Sequence, residues 1–150
     1  KMNFQNTFNK PILGMALLFL MHCSSSKEIY PLSIDQAYAN LPLTGQNNIS
    51  AYMNIDNNSG EELRIIGVNC KDVKLTQFHN TTINLDNQLV QMKMEDSLTL
   101  EKNQKKILKR GGRHLMLMEI DNTLIMKDSI FCEFIIESYA NFSFEITLKK

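Results

Sequence analysis

Apolar and polar residues alternate along most of the chain beyond residue 48, and a period of two is typical of half-buried β-strands. The clearest example is 49–56, in which Ala51, Met53 and Ile55 share one face while polar or aromatic residues share the other. We expect the side chain of Met53 to lie in the core. Residues 57–60, Asn-Asn-Ser-Gly, predict a turn, and a returning strand follows.

The same alternation, interrupted by clusters of Asn, Asp, Gly and Ser, continues to the C-terminus. It predicts further strands at 62–68, 73–79, 88–94, 98–101, 106–109, 114–120, 129–137 and 142–148. No stretch combines sustained helical periodicity with a capping residue. About eight or nine short strands at this spacing favour an all-β domain, an antiparallel β-sandwich with Greek-key connections.

The segment 27–48 does not share this pattern. Pro31, Pro42 and Gly45 limit any strand there to short edge pieces. Residues 35–40 offer at most one helical turn. We therefore expect this segment to be largely irregular.

The first 26 residues, 1–26, have the features of an export signal. Two lysines precede an apolar stretch at 12–21, which is too short for a membrane span, and Cys23 follows with three serines after it. This order predicts a bacterial lipoprotein signal with Cys23 as the lipidated residue, although His22 is larger than the residue usually found before that cysteine. Cleavage after Ser25 and an uncleaved anchor are the alternatives. Residues 27–150 then form the exported domain.

Charge and length narrow the function classes. The chain has 150 residues, enough for one domain with its own core, and 16 basic residues balance 16 acidic ones. No basic stripe interleaved with aromatic residues is present, so nucleic acid is not an expected partner.

The basic run at 105–113 predicts a solvated hairpin, with docking of an acidic partner as the alternative. No Ser-His-Asp set or phosphate loop is recognisable, so we expect a non-enzyme.

Two cysteines, Cys70 and Cys132, remain beyond the export signal. In an oxidising compartment they could form one disulfide. Cys132, however, shares the apolar face of 130–136, and a buried free thiol fits that position equally well. Neither lies in a Cys-x-x-Cys motif, so a thiolate zinc site and redox catalysis are both disfavoured.

The most informative local feature is the run 111–118, Gly-Gly-Arg-His-Leu-Met-Leu-Met. Alternate residues of a strand point to one face, so His114, Met116 and Met118 project together. Imidazole and thioether are a ligand pair that suits copper, and thioether is soft enough to favour Cu(I). The alternative is a buried strand in which methionines fill gaps in the core.

Further candidate ligands precede this run. His79 ends one predicted strand, and Met92 and Met94 lie on the next strand along the chain. A hairpin between these strands would bring His79 close to the methionines. The strand that carries His114 must then lie alongside for one site to form.

From about Asp35 to its C-terminus the chain resembles the periplasmic copper chaperone family, the PCuAC-type domains that deliver Cu(I) toward the copper centre of cytochrome oxidase. The run 111–118 matches the strongest local motif of that family. Twenty-one residues separate Met92 from His114, as in the family pattern. Twelve residues separate His79 from Met92 rather than the family's ten, which leaves the choice between Met92 and Met94 open.

The resemblance implies a cupredoxin-like β-sandwich that binds and passes on Cu(I) without catalysis, in the bacterial periplasm or anchored to the envelope by lipid. It implies a cuproprotein acceptor such as the copper-centre subunit of cytochrome oxidase, and a second copper chaperone as a further candidate partner. Met118 is expected to pack below the site. The implied copper ligands are His79, Met92 or Met94, His114 and Met116.

Two other functions remain candidates at this stage. A blue-copper electron-transfer protein shares the general fold, but it needs a Cys ligand near the second His, and the His114 segment has none. A structural or adhesive envelope lipoprotein with a β-sandwich fold would bind no metal. Substitution of His114 would then leave its interactions unchanged.

Overall fold

The computed structural model describes residues 31–42, 45–84 and 89–150. The predicted export signal at 1–26 and the predicted lipidation site at Cys23 lie outside the described residues. Within them there is no helix long and apolar enough to cross a membrane. The elements are β1 (Leu32–Asn40), β2 (Ile49–Asn57), β3 (Leu63–Cys70), β4 (Val73–Ile83), β5 (Val90–Glu95), β6 (Leu98–Leu100), β7 (Lys105–Leu108), β8 (Arg113–Ile120), a 3-10 helix (Asn122–Met126), β9 (Ser129–Ile136) and β10 (Phe142–Lys149).

The strands form one hydrogen-bonded sheet in the order β5-β4-β8-β2-β1-β10-β9-β3-β6, and β7 also pairs with β2. The sheet curves back on itself around a core. Phe78 of β4 and Phe134 of β9, which lie in opposite halves of the strand order, have ring centroids only 6.1 Å apart. Nearly all neighbouring strands are antiparallel as predicted, but β1 and β10 run parallel.

The core follows from the alternation in the sequence. On β2, every second residue from Ile49 to Asn57 is buried, and Met53 is buried as expected. One cluster of buried apolar side chains draws on strands from both halves of the sheet. Burial of apolar surface is the dominant stabilising term in a domain of this size. The predicted all-β sandwich is therefore confirmed.

The prediction of short edge pieces and at most one helical turn before residue 49 is wrong. β1 is nine residues long and lies between β2 and β10. Pro31 and Pro42 stand outside its two ends rather than interrupting it. Gln36 has a φ of 53°, and the register with β2 shifts between Asp35 and Tyr38. This bulge changes the phase of the alternation in mid-strand, which is why the period of two is not visible in the sequence.

Cys70 and Cys132 are directly opposite each other on β3 and β9 and form a disulfide. The sequence left a disulfide and a buried thiol as equal alternatives, and the strand register decides for the disulfide. Its two strands lie toward the β6 edge of the sheet, whereas the histidines lie on strands toward the β5 edge. The thiols are therefore unavailable as metal ligands.

Candidate metal centre

The three segments that carry the candidate ligands are neighbours in the sheet, because β4 lies between β5 and β8. His79 is opposite Met94 on one side and opposite His114 on the other. Directly opposed residues in antiparallel strands point to the same face and are in contact range. The expectation that His79 ends its strand is wrong, since β4 continues to Ile83 and β5 pairs along its whole extension.

The ligand-bearing face of β8 is the face opposite the core. Leu115 and Leu117 are fully buried in the core, so the residues that alternate with them point to the other side. Met118 was expected in the core, and this is wrong. It is only partly buried, shares the outer face with His114, and is opposite the exposed Leu75.

His114 is held in a defined orientation on this face. Its side chain is only 4% exposed, and Nδ1 lies 3.0 Å from the carbonyl oxygen of Gly112. A carbonyl can only accept, so Nδ1 carries the proton and donates it. Nε2 of the neutral ring then has a free lone pair, and it is buried with no hydrogen-bond partner among the described residues. A buried, unpaired imidazole nitrogen is a costly feature that a metal ion would satisfy.

The turn before β8 supplies the carbonyl that orients His114. The N–H of Gly112 donates to the carbonyl of Lys109 at 3.1 Å, and the N–H of Lys109 donates to the carbonyl of Arg113 at 2.7 Å. Gly111 has a φ of 73°, a conformation that side-chain-bearing residues rarely adopt. The Gly112 carbonyl also accepts the backbone N–H of Thr81 at 3.1 Å, so it links β4 to the same turn.

His79 lies beside His114, with ring centroids 5.8 Å apart and ring planes nearly perpendicular. Its Nδ1 is 3.1 Å from the sulfur of Met92, and its Nε2 is 3.2 Å from Oε1 of Gln77. Partial burial and, secondarily, the nearby His114 lower the pKa of His79. A neutral ring keeps a lone pair for a ligand.

The methionines of the set differ in their surroundings. Met92 and Met94 are 56% and 49% exposed on β5, the edge strand of the sheet. Met116 is partly buried, and its sulfur accepts a hydrogen bond of 3.6 Å from the Ser50 hydroxyl. The structure thus brings His79, Met92 and His114 together most closely, with the other two methionines on the same face.

Two residues near the site were not identified as contributors from the sequence. Gln77 precedes His79 by two positions and is opposite Met116, so it shares the ligand face. Tyr52 of β2 packs against His114 with ring centroids 6.4 Å apart, and Tyr38 packs against Tyr52 at 5.4 Å. Tyr38 therefore takes part in the aromatic packing next to the site. Alternation along β4 places Gln77 on the same face as His79, so the sequence alone could have identified it. The contact of Tyr52 with His114 depends on the pairing of β2 with β8, which the sequence does not show.

The charged residues next to the site are largely paired with each other. Arg113 contacts both carboxylate oxygens of Glu95, at 3.1 and 2.8 Å. Lys105 pairs with Asp56 at 3.4 Å. The prediction that the basic run at 105–113 forms a hairpin is wrong, because β7 and β8 both pair antiparallel with β2 and follow each other along it in the same direction. The donors that converge at the centre are therefore imidazoles and thioethers rather than carboxylates.

A donor set of this kind has a clear chemical preference. Thioethers are soft ligands that suit Cu(I), and imidazole binds copper in either oxidation state. In the described ranges there is no group of three or more His, Cys, Asp or Glu side chains arranged for a metal ion. The methionine sulfurs of β5 and β8 are soft donors on the same face as the histidine pair.

Comparison with known proteins supplies the family and the fold. A family model described as "Putative lipoprotein LpqE-like" matches residues 32–147. No curated protein matches the chain significantly. Among solved structures, the copper-bound PCuAC domain from PmoF2 is 21% identical with a TM-score of 0.65, and the match covers 80% of this chain and 93% of that domain.

Two further structures show the same likeness. The apo PCuAC domain from PmoF1 is 19% identical with a TM-score of 0.66, over 80% of this chain and 94% of that one. Apo-DR1885 from Deinococcus radiodurans is 19% identical with a TM-score of 0.60, over 99% of this chain and 97% of that one. These likenesses confirm the expected fold. The chain therefore belongs to the LpqE-like family and has the cupredoxin-like β fold of PCuAC domains.

Proposed function

We propose that this protein binds one Cu(I) ion as cargo through His79, Met92, His114 and Met116. The observation that carries the proposal is the buried, unpartnered Nε2 of His114. It lies on the same sheet face as a second imidazole whose Nδ1 is already 3.1 Å from a thioether sulfur. Two imidazoles and two thioethers form a neutral set, so the bound ion keeps its single charge.

Met92 is preferred to Met94 as the ligand from β5. Met94 is directly opposite His79 in the register, whereas Met92 is opposite Thr81, two pairs further along. The sulfur of Met92 nevertheless reaches diagonally to Nδ1 of His79, which is within the range of cross-strand contacts. Met94 remains on the same face as a neighbouring thioether that could take over during exchange.

Met116 completes the set by a change of rotamer. Its sulfur accepts only a weak hydrogen bond from Ser50, and methionine has an unbranched, adaptable side chain. Loss of that contact costs little. Gln77 lies opposite Met116 and contacts the His79 ring through its side-chain oxygen.

Cu(I) is favoured over other ions by the absence of charged donors at the centre. Within the part of the chain that the structure describes, both cysteines, Cys70 and Cys132, are joined to each other toward the opposite edge of the sheet and supply no thiolate to the centre. A blue-copper site needs a Cys ligand, which argues against electron transfer as the function. Half-exposed methionines on an edge strand suit an ion that must leave as well as bind.

The biological role that fits this site is that of a copper chaperone without catalytic activity. Membership of a lipoprotein-named family and the fold of PCuAC domains, one of them copper-bound, support it. We propose the cell envelope or periplasm as its location, with lipidation at Cys23 as its anchor. The acceptor would be a cuproprotein such as the copper-centre subunit of cytochrome oxidase, with a second copper chaperone as a further partner.

An anaerobic titration with a chromogenic Cu(I) chelator tests the binding step. The purified protein should withdraw about one Cu(I) per chain from a chelator of moderate strength. Failure to withdraw copper would refute the proposal and favour a structural or adhesive lipoprotein. Mixing the loaded protein with a soluble copper-centre domain of cytochrome oxidase then tests the acceptor separately, because retained copper would refute only that assignment.

A further inference from the structure

The two histidines of the centre are oriented by different hydrogen-bond acceptors. His114 donates from Nδ1 to the Gly112 carbonyl, which leaves Nε2 free. His79 is held from its other side, because its Nε2 is 3.2 Å from the side-chain oxygen of Gln77. Both contacts of His79 offer an acceptor, but an amide oxygen is a much stronger acceptor than a thioether sulfur, so the neutral ring places its proton on Nε2 toward Gln77 and keeps the lone pair on Nδ1.

This arrangement gives the two rings opposite tautomers. In His79 the nitrogen with the lone pair is Nδ1, and this atom lies 3.1 Å from the Met92 sulfur. In the other tautomer, a proton would lie between Nδ1 and that sulfur, and no metal could bridge the two atoms. The tautomer of His79 therefore decides whether the His79–Met92 pair can act as ligands at all.

Gln77 is well placed to fix that choice. Residues 77 and 79 of β4 point to the same face, so the amide reaches the ring without leaving the strand. Gln77 is partly buried and is opposite Met116 on β8. Outer partners of this kind orient a metal-binding imidazole and raise its basicity as a ligand.

We infer that Gln77 is a positioning residue that holds His79 as the Nε2–H tautomer and thereby presents Nδ1, together with the Met92 sulfur, to Cu(I). The two imidazoles then bind the ion through different nitrogens, Nδ1 of His79 and Nε2 of His114. The copper part of this inference rests on the proposed function. The tautomer part concerns the metal-free protein and stands independently.

Nitrogen-detected NMR of the imidazole rings tests the tautomer in the metal-free protein, at about pH 8 where histidines are neutral. We expect His79 as Nε2–H and His114 as Nδ1–H. In Gln77→Leu the Nε2–H preference of His79 should be lost, and in the Cu(I) competition titration the affinity should fall about tenfold. Gln77→Glu keeps an acceptor oxygen and should keep the Nε2–H tautomer.

Gln91→Leu is the matched control, since it makes the same substitution on β5 at a position that alternates with Met92 and Met94. It should leave both readouts unchanged. An Nδ1–H tautomer of His79 in the unaltered protein would overturn the inference, and so would a Gln77→Leu protein with unchanged tautomer and affinity. If even the unaltered protein binds no Cu(I), the proposed function fails, and the NMR result still decides what Gln77 does.

Discussion

The two faces of β8 show how one strand can carry both a core and a binding centre. Leu115 and Leu117 are fully buried, and their apolar side chains need only packing contacts and no hydrogen-bond partners. His114 is buried almost as deeply on the other face but keeps a ring nitrogen without a partner. Burial on the core face lowers the free energy of the fold, whereas burial on the outer face leaves a polar atom available for a ligand. Substitutions on the two faces should therefore separate stability from copper binding.

The largest effect on folding is expected from Leu115→Ala. A Leu-to-Ala change in a well-packed core lowers the free energy of unfolding by about 2–5 kcal/mol, through lost burial and a residual cavity. Urea denaturation measures this loss. Under conditions in which the variant is folded, it should still bind about one Cu(I) per chain. A stable variant that has lost copper binding would contradict the separation of the two faces.

The largest effect on binding is expected from His114→Leu. Changes to residues that merely support a ligand weaken metal affinity about 10–100-fold, so removal of a ligand should exceed about 100-fold. The free energy of unfolding should change by less than about 1.5 kcal/mol, because an apolar side chain of comparable size replaces a buried ring with an unpaired nitrogen. Cu(I) competition and urea denaturation on the same sample give both numbers. Unchanged affinity would move the site elsewhere.

A smaller effect distinguishes the two methionines of β5. Met92→Leu should weaken Cu(I) affinity by about tenfold or more, since it removes the sulfur that lies beside His79. Met94→Leu serves as its matched control, because it makes the same change two residues away on the same face. It should reduce affinity much less. A larger loss of affinity in Met94→Leu than in Met92→Leu would identify Met94 as the ligand. The position directly opposite His79 would then matter more than the sulfur contact of Met92.

The smallest effect is expected at Met118. Met116→Leu should weaken Cu(I) binding, whereas Met118→Leu should leave it unchanged, because Met118 is opposite Leu75 and is four pairs away from the pair of His79 and His114. Both are near-isosteric changes and should alter the free energy of unfolding by less than about 1.5 kcal/mol. Equal losses of affinity in the two variants would contradict this and show that the site also includes Met118.

The sequence predicts the strands and the ligand-bearing segments because both depend on local alternation. Residues 49–57 and 113–120 show a period of two that the structure reproduces. β1 could not be predicted in the same way, since the bulge at Gln36 shifts the phase within the strand. The prediction that Met118 lies in the core was wrong, because the alternation of residues along a strand defines two faces but does not say which face is buried. In the structure, Leu115 and Leu117 are fully buried, so their face of β8 is the core face.

The details of the centre needed the register between strands. Alternation places His79 and Met92 on facing arms of a hairpin, but only the pairing of β4 with β5 sets the diagonal contact between them. The same holds for Gln77, whose role depends on a side-chain hydrogen bond. The disulfide between Cys70 and Cys132 likewise follows from the β3–β9 register and not from the spacing of the two residues.

X-ray absorption at the copper edge of the Cu(I)-loaded protein tests the central claim most directly, because it counts the atoms bound to the ion. Two imidazole nitrogens and two thioether sulfurs are predicted, from His79, His114, Met92 and Met116. The sulfur contribution should fall by half in Met92→Leu and remain complete in Met94→Leu. A first shell made only of nitrogen and oxygen, or one unaffected by His114→Leu, would contradict the account.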